Sequence, residues 1–363
     1  MAMPDQSSDY QMMAFDDYRY QRSKKDREDL RGTLFFYDAP ETHIIQKVPG
    51  FPAIKRVYRL QEGIARLFDN NCFRVEEKLD GYNARIFMHQ GMIFGATRGG
   101  FICPFTTEWA RIWAEDSPFE AFFSDNPGHV LCGEICGDNP YNWQRDPDLP
   151  PGAHFFAFEI TTPDGVFLPP DKRREQLARY GLPGAPDLGE YSLSETEKLH
   201  EILLDLNRHH REGVVLKDLE GKHRLKFVTP NSDIQDLQDT LKIGFDMDAG
   251  YLFNRYLRAS LFVKEFGLDQ GEYAKKLGQA FLDGFPDPGN FSESSRNYVI
   301  YVMEKETWEK LHGMLKSNVL IRYDGITPAT VQGREMLRVD FRRVYQKSSH
   351  RYRRILRGHL HQD

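Results

Sequence analysis

The stretch EEKLDGYNARIF, Glu76 to Phe87, decides how the rest of the chain is read. It sets Lys78 two residues before Asp80 and Gly81, ahead of an alternating segment that reads as a strand. A lysine at that place is either a surface charge paired beside a turn or a nucleophile. A free lysine titrates near ~10.4 and is almost wholly protonated at neutral pH. It attacks phosphorus only as the neutral amine, a form that burial and a second nearby cation both favour. The acids Glu76, Glu77 and Asp80 oppose that form unless they are turned away, bound to metal or bonded to other donors. On a strand Glu76 shares a face with Lys78, while Glu77 points to the other side.

Working outward, YNARIFMHQ and GMIFGATRG alternate and meet at Gln90-Gly91, which predicts a hairpin. Antiparallel pairing then makes residue numbers across the ladder sum to about 180, which sets Arg98 near Tyr82. A second hairpin, turning at Glu220-Gly221, sets Lys217 within reach of Arg224 and Lys226. Two hairpins thus carry cations towards one end of a sheet, an arrangement suited to a polyphosphate.

The chain has 363 residues, enough for two or three domains, and a formal net charge of −6. No apolar run approaches the ~20 residues of a membrane span. The first 29 residues are polar, lack the layout of a secretion signal and read as a frayed end. Four cysteines in a chain of this length imply a reducing, cytoplasmic compartment rather than a disulfide framework. Cys132 and Cys136 lie four apart with no completing Cys or His, and read as buried residues.

Four domains are expected: a β-containing lead domain over 1–65, a core of mixed strands and helices over 66–230, an all-α segment over 231–315 and a basic part over 316–363. In the core, PFTTEWARIWAED predicts a helix capped by Thr106, and DKRREQLARYGLP one capped by Asp171 with Gly181 past its end. SRNYVIYVMEKETWEKLHGML is read as helical. From Arg334 onward nine Lys or Arg oppose three acids, and Phe341, Tyr345 and Tyr352 lie among them. That mixture fits contact with a phosphate backbone better than a solvated helix face.

The ordered segments EKLDGYN, ATRGG, CGEICG, FFAFEI, EGVVLK and RLKF resemble the motif series of covalent nucleotidyltransferases, the ATP-dependent RNA and DNA ligases and mRNA capping enzymes. Asn83 leans towards RNA ligases, since DNA ligases usually carry arginine there. With a short β-rich lead domain, helices directly after RLKFVTP and a basic C-terminal part, the layout resembles archaeal-type homodimeric ATP-dependent RNA ligases, which circularise single-stranded RNA.

The resemblance implies an α+β fold with a nucleotidyltransferase core of antiparallel sheets. It implies ATP and Mg²⁺ or Mn²⁺ as cofactors, single-stranded RNA as partner and a homodimer formed through 231–315. Lys78 would be the nucleophile that takes AMP, Glu212 the metal ligand and Lys226 the holder of the α-phosphate. Glu76, Asn83, Arg98, Glu134 and Arg224 would also face the nucleotide, Glu134 at the ribose. Phe158 would stack on adenine, with Phe155 or Phe156 as substitutes in another register. The family often has Lys-x-Lys in its last motif; here it is Arg224-Leu225-Lys226, which keeps the charge but not a proton donor. A DNA ligase, a non-catalytic RNA-binding protein, and a glycosidase built on Glu134 and the loop DNPYNW are the competing expectations.

Overall fold

The computed structural model describes residues 9–26, 29–38, 43–68, 72–116, 118–316 and 319–359. Its first sheet begins inside the segment expected to fray. Tyr10–Phe15 (β1) and Tyr18–Ser23 (β2) pair antiparallel across a turn at Asp16, and Leu34–Tyr37 (β3) and Ile44–Val48 (β4) complete the order β1-β2-β3-β4. The polar sequence concealed β2 because its buried polar groups are satisfied. Gln21 accepts from the Tyr37 hydroxyl at 2.7 Å, and Arg22 donates to Gln11 and to the Gly99 carbonyl. Residues 1–8 of the expected frayed end lie outside the described residues.

Two antiparallel-rich sheets follow. The first holds Asp187–Tyr191 (β11), Phe73–Lys78 (β6), Gly213–Asp218 (β12), Arg224–Val228 (β13) and Lys55–Arg56 (β5), in the order β11-β6-β12-β13-β5. The second holds Ala153–Thr161 (β10), Val130–Gly137 (β9), Tyr82–His89 (β7) and Met92–Thr97 (β8), in the order β10-β9-β7-β8. The chain crosses from one sheet to the other between Lys78 and Tyr82. At the crossing a Cβ on Gly81 would lie 2.3 Å from the Ile135 carbonyl oxygen, so only glycine fits. The hairpin turns as expected at Gln90 (φ 49°) and Gly91 (φ 78°), with Ala84 opposite Thr97, and Lys217 lies opposite Arg224 in the second hairpin.

Helices cover these sheets. Leu60–Leu67 (α1) and Thr196–Arg208 (α5) share a core with β6, β12 and β13. Pro104–Asp116 (α2) and Phe119–Asp125 (α3) pack on the other sheet, and Pro170–Arg179 (α4) lies against β10. Neither expected cap is one. Both α2 and α4 start at proline, which has no N–H to leave unbonded, so Thr106 and Asp171 fall inside the first turns. Thr106 is buried and shares a 2.9 Å hydrogen bond with the Tyr82 hydroxyl. Gly181 follows α4 with φ 59°, as expected.

Pro230–Leu241 (α6), Ala249–Glu265 (α7) and Gln270–Gly284 (α8) form the helical segment. Phe262 and Phe266 of this segment stack on Phe227 of β13, at 5.5 and 6.1 Å. The helical reading fails beyond Gly284: Ser295–Val302 (β14) is a strand, and the helix Lys305–Lys316 (α9) starts only after it. Tyr, Val and Ile in NYVIYV fit a pleated, half-buried surface better than a helix. With Leu320–Val331 (β15), Arg334–Val344 (β16) and Gln346–Leu356 (α10), β14 builds a last sheet ordered β14-β16-β15. It docks on α2: Trp109 Nε1 donates to the Tyr301 carbonyl, and Glu108 accepts from the Met303 and Glu304 amides ahead of α9.

Gly213 sits opposite Lys78 with φ +146°, and a Cβ there would lie 2.2 Å from the Phe227 carbonyl oxygen. Gly213→Ala should therefore lower stability by about 1–3 kcal/mol, from backbone strain with the contact in addition. Urea denaturation measures it, and an unchanged midpoint would show that the strand relaxes freely.

Candidate active site

Lys78 ends β6, and the Gly213 opposite it puts Glu212 beside its side chain. Lys78 Nζ donates to Glu212 Oε2 at 2.5 Å. Burial alone would favour the neutral amine, but Glu212 and Glu134 outweigh it and hold the Lys78 pKa above its ordinary value. Of the acids nearest in sequence, Glu76 and Glu77 are bonded to other cations. Glu77 accepts from Arg211 at 2.5 Å, and Glu76 is enclosed by Arg173 and Lys217. Asp80 stays close: burial and then Glu212 push its pKa up to about 7, against the pull of Lys78, and Asn142 donates to it at 2.8 Å.

Glu134 and Asn83 are partners across the β9–β7 ladder, so they share a face. Burial pushes Glu134 up to about 8; Lys78 opposes that shift, while Glu212 and Asp80 reinforce it. Asn83 Oδ1 is buried without a hydrogen-bond partner. Lys226 on β13 lies in parallel register with Arg56. Its pKa is lowered to about 8 by burial first and by Arg56 and Lys78 next. Arg98 is exposed, with Nη2 3.1 Å from the Pro52 carbonyl.

Phe158 packs edge-on against Phe51 at 5.3 Å and lines the same cavity. Phe155 is core against Trp113 and Phe119, and of the three phenylalanines of FFAFEI Phe158 is the one that lines the cavity. Lys78, Asn83, Arg98, Glu134, Phe158 and Lys226 together line one cavity of about 1140 Å³, roomy enough for a nucleotide and part of a second ligand.

Two residues expected at the nucleotide are held in an ion network, although Glu76 also lines the cavity. Arg224 is sequestered: its Nε donates to Glu159 Oε1 at 2.6 Å and its guanidinium covers Phe167 at 4.2 Å. Glu76, only 1% exposed, belongs to the same buried ion network, with Arg173, Lys217 and Glu159. The pairing of two like charges, Arg56 beside Lys226, has no signal in sequence, because the dipeptide Lys55-Arg56 carries no pattern. Cys132 and Cys136 are buried in β9, and no trio of His, Cys, Asp or Glu converges on a metal position among the described residues.

With this geometry in view, similarity to known proteins becomes informative. Residues 72–228 match the family model described as RNA ligase. Over this segment the chain is similar to the RNA ligase family. An archaeal ATP-dependent RNA ligase is 29% identical, with a TM-score of 0.83 over 97% of this chain and 94% of that one. A protein of Aquifex aeolicus described as a candidate ATP-dependent DNA ligase is 28% identical, with a TM-score of 0.88 over 98% and 97%. The uncharacterized protein MJ0414 of Methanocaldococcus jannaschii is 28% identical over 345 residues, 91% of this chain and 85% of that protein. The matched segment holds both central sheets except β5, and the likeness to the two solved structures extends over nearly the whole chain.

The raised Glu134 carboxyl gives a signed pH dependence. Between its ordinary value and about 8 the folded protein keeps a proton that the unfolded chain loses, so its contribution to stability falls as pH rises through that window. In metal-free buffer with EDTA, Glu134→Gln should gain stability relative to the parent on going from pH 5 to pH 8.5. Urea midpoints at the two pH values read this directly, and a pH-independent difference would clear Glu134 of the effect.

Proposed function

We propose that the protein is an ATP-dependent RNA ligase that joins a 5′-phosphate to a 3′-hydroxyl of single-stranded RNA, within one strand, through AMP carried on Lys78. The observation that supports it most is the contact of Lys78 with Glu212, made by a lysine that lines one cavity with Glu134, Asn83, Phe158 and Lys226. The lysine must first lose its proton. In the free protein the carboxylates around it favour the protonated form, and a divalent cation held at Glu212 would offset their charge and favour release of that proton.

Lys78 Nζ then attacks the α-phosphorus of ATP; a P–N bond forms and the bond to pyrophosphate breaks. A 5′-phosphate oxygen of the RNA next attacks the AMP phosphorus and releases the lysine. In the last step the RNA 3′-hydroxyl attacks the activated 5′-phosphate and AMP departs. Each displacement depends on in-line placement and charge neutralisation more than on acid–base chemistry.

The site suits a divalent cation in the manner of Mg²⁺ or Mn²⁺. Buried Asp80 and Glu134, with raised pKa values, lie close to Glu212. An ion of this kind keeps waters and takes substrate phosphates as ligands, so it needs only one or two carboxylates from the protein. Bound through Glu212, such an ion would supply charge neutralisation at the phosphates. Asn83 Oδ1, buried and unpaired, suits a donor on the nucleotide, Glu134 the ribose hydroxyls and Phe158 the adenine.

A DNA ligase is the second reading, favoured by the description of the Aquifex protein. Matched nicked or single-stranded RNA and DNA substrates separate the two. Lys78→Ala should take up no AMP from labelled ATP and join no RNA, yet still seal RNA that is already adenylylated. Labelling of that variant at the parent level would remove Lys78 from the mechanism.

The helical segment would pair two copies, each with its own site. Phe253 of α7 is 65% exposed and Leu282 of α8 is 71% exposed, apolar surface that the packing of Phe262 and Phe266 on Phe227 leaves uncovered. Light scattering at micromolar protein should give twice the chain mass. Phe253→Asp with Leu282→Asp should halve it, and a monomeric parent would refute the pairing. The four free cysteines suit a reducing, cytoplasmic setting. Among the described residues no helix is long and apolar enough to cross a membrane.

A further inference from the structure

The four arginines of β16 fall into two groups by what holds them. Arg334, Arg338 and Arg342 are spent on carboxylates: Arg334 on Glu115 at 2.7 Å, Arg338 on Asp340 at 2.8 Å and Arg342 on Asp324 at 2.8 Å. A cation neutralised in this way has little left to offer a phosphate. Arg343, one residue further along β16, is held differently. It donates to the Pro140 carbonyl and lies over the Tyr298 ring at 4.8 Å. Arg296 on β14 lies over Trp143 at 4.6 Å and donates to the Asp239 carbonyl and the Thr240 hydroxyl. Lys242, just after α6, approaches the same Trp143 ring at 5.8 Å.

None of these three cations pairs with a carboxylate among the described residues, and the buried Nε atoms of Arg296 and Arg343 have no acceptor. Rings fix a guanidinium in place without cancelling its charge. The result is a strip of positioned, uncompensated positive charge.

The strip leads to the active site. All three cations surround the loop 138–143, the DNPYNW segment that follows β9. Asn142 of that loop donates to Asp80, two residues from Lys78, and Tyr141 packs on Tyr82 at 4.8 Å. Tyr141 and Arg343 line the cavity that holds Lys78; Trp143, Arg296 and Lys242 continue beyond it.

We propose that Lys242, Arg296 and Arg343, seated on the aromatic rings around loop 138–143, form the track by which the end of a single RNA strand reaches Lys78. This rests on the RNA ligase reading. Cations spaced along a loop, with aromatic faces between them, match the alternation of phosphates and bases in an unpaired strand. The track assigns a role to the loop and to Arg296 and Lys242, none of which lies in the motif segments. It also moves RNA contact away from Arg334, Arg338 and Arg342.

The test measures binding of a fluorescent 5′-phosphorylated single-stranded RNA to the full-length protein by anisotropy, as a function of salt. Lys242→Ala with Arg296→Ala should raise Kd at least tenfold. It should also flatten the log–log salt dependence by about 1.4, at ~0.7 for each phosphate of a single strand that the protein no longer neutralises. Arg338→Ala with Arg342→Ala should change Kd less than twofold. If Arg296→Ala shifts the melting midpoint, Lys242→Ala with Arg343→Gln carries the same expectation.

The track is overturned if the first pair leaves Kd and slope within twofold of the parent. It is overturned equally if the control pair weakens binding as much. A parent that takes no AMP from ATP and joins no RNA overturns the ligase reading instead, so the two failures are told apart.

Discussion

Beneath the cavity, five buried charges bind the two central sheets into one piece. Glu76 on β6, Lys217 on β12 and Arg224 on β13 come from one sheet, Glu159 on β10 from the other and Arg173 from α4. Each is nearly enclosed, and an ion taken from water at that depth is tolerable only with partners on every side. The Phe158 carbonyl accepts from both Lys217 and Arg173, so the strand that carries the Phe158 ring is tied to the network by its backbone. Three cations against two carboxylates leave the floor of the cavity with a net positive charge. The site is therefore anchored and electrically biased by this network, of which Glu76, Lys217 and Glu159 reach the cavity wall.

Above that floor the ionisable groups divide by position. Carboxylates gather around Lys78 and hold its proton on, while cations gather around Lys226 and favour release of its proton. The two lysines lower each other's affinity for a proton, but only Lys226 lacks enough acid nearby to resist. An isolated lysine nucleophile activated by burial alone would need a drier, acid-free pocket. Here a cation bound at Glu212 would offset the carboxylate charge that keeps Lys78 protonated.

The sequence disclosed this site unevenly, for physical reasons. Hairpin turns at Gln90-Gly91 and Glu220-Gly221 are local, and residue arithmetic across them brought Lys217 to Arg224 correctly. Which partner a side chain then finds is not local. Arg224 and Lys226 share a face of β13, yet one meets Glu159 from another sheet and the other meets the cavity. Strand β2 was hidden because Gln21 and Arg22 are buried polar groups whose partners lie far along the chain. Strand β14 was read as helix because a short apolar run fits both periods until the sheet that receives it is known.

The cavity is closed by parts that are far apart in sequence. Gln11, Met13 and Phe15 of β1 line one side, and Lys310, Met314 and Leu315 of α9 line another. An ion pair, Asp16 to Lys310 at 2.5 Å, joins the β1–β2 turn to α9. Both partners are more than a third exposed, so solvent screening leaves such a pair worth at most about 1 kcal/mol. By contrast, the C-terminal sheet is fixed to α2 by a shared apolar core and the buried Trp109 hydrogen bond. The weak contact joins α9 to the β1–β2 turn, and the strong one joins the C-terminal sheet to α2. Parting the β1–β2 turn from α9 at Asp16 and Lys310 therefore costs less than parting the C-terminal sheet from α2.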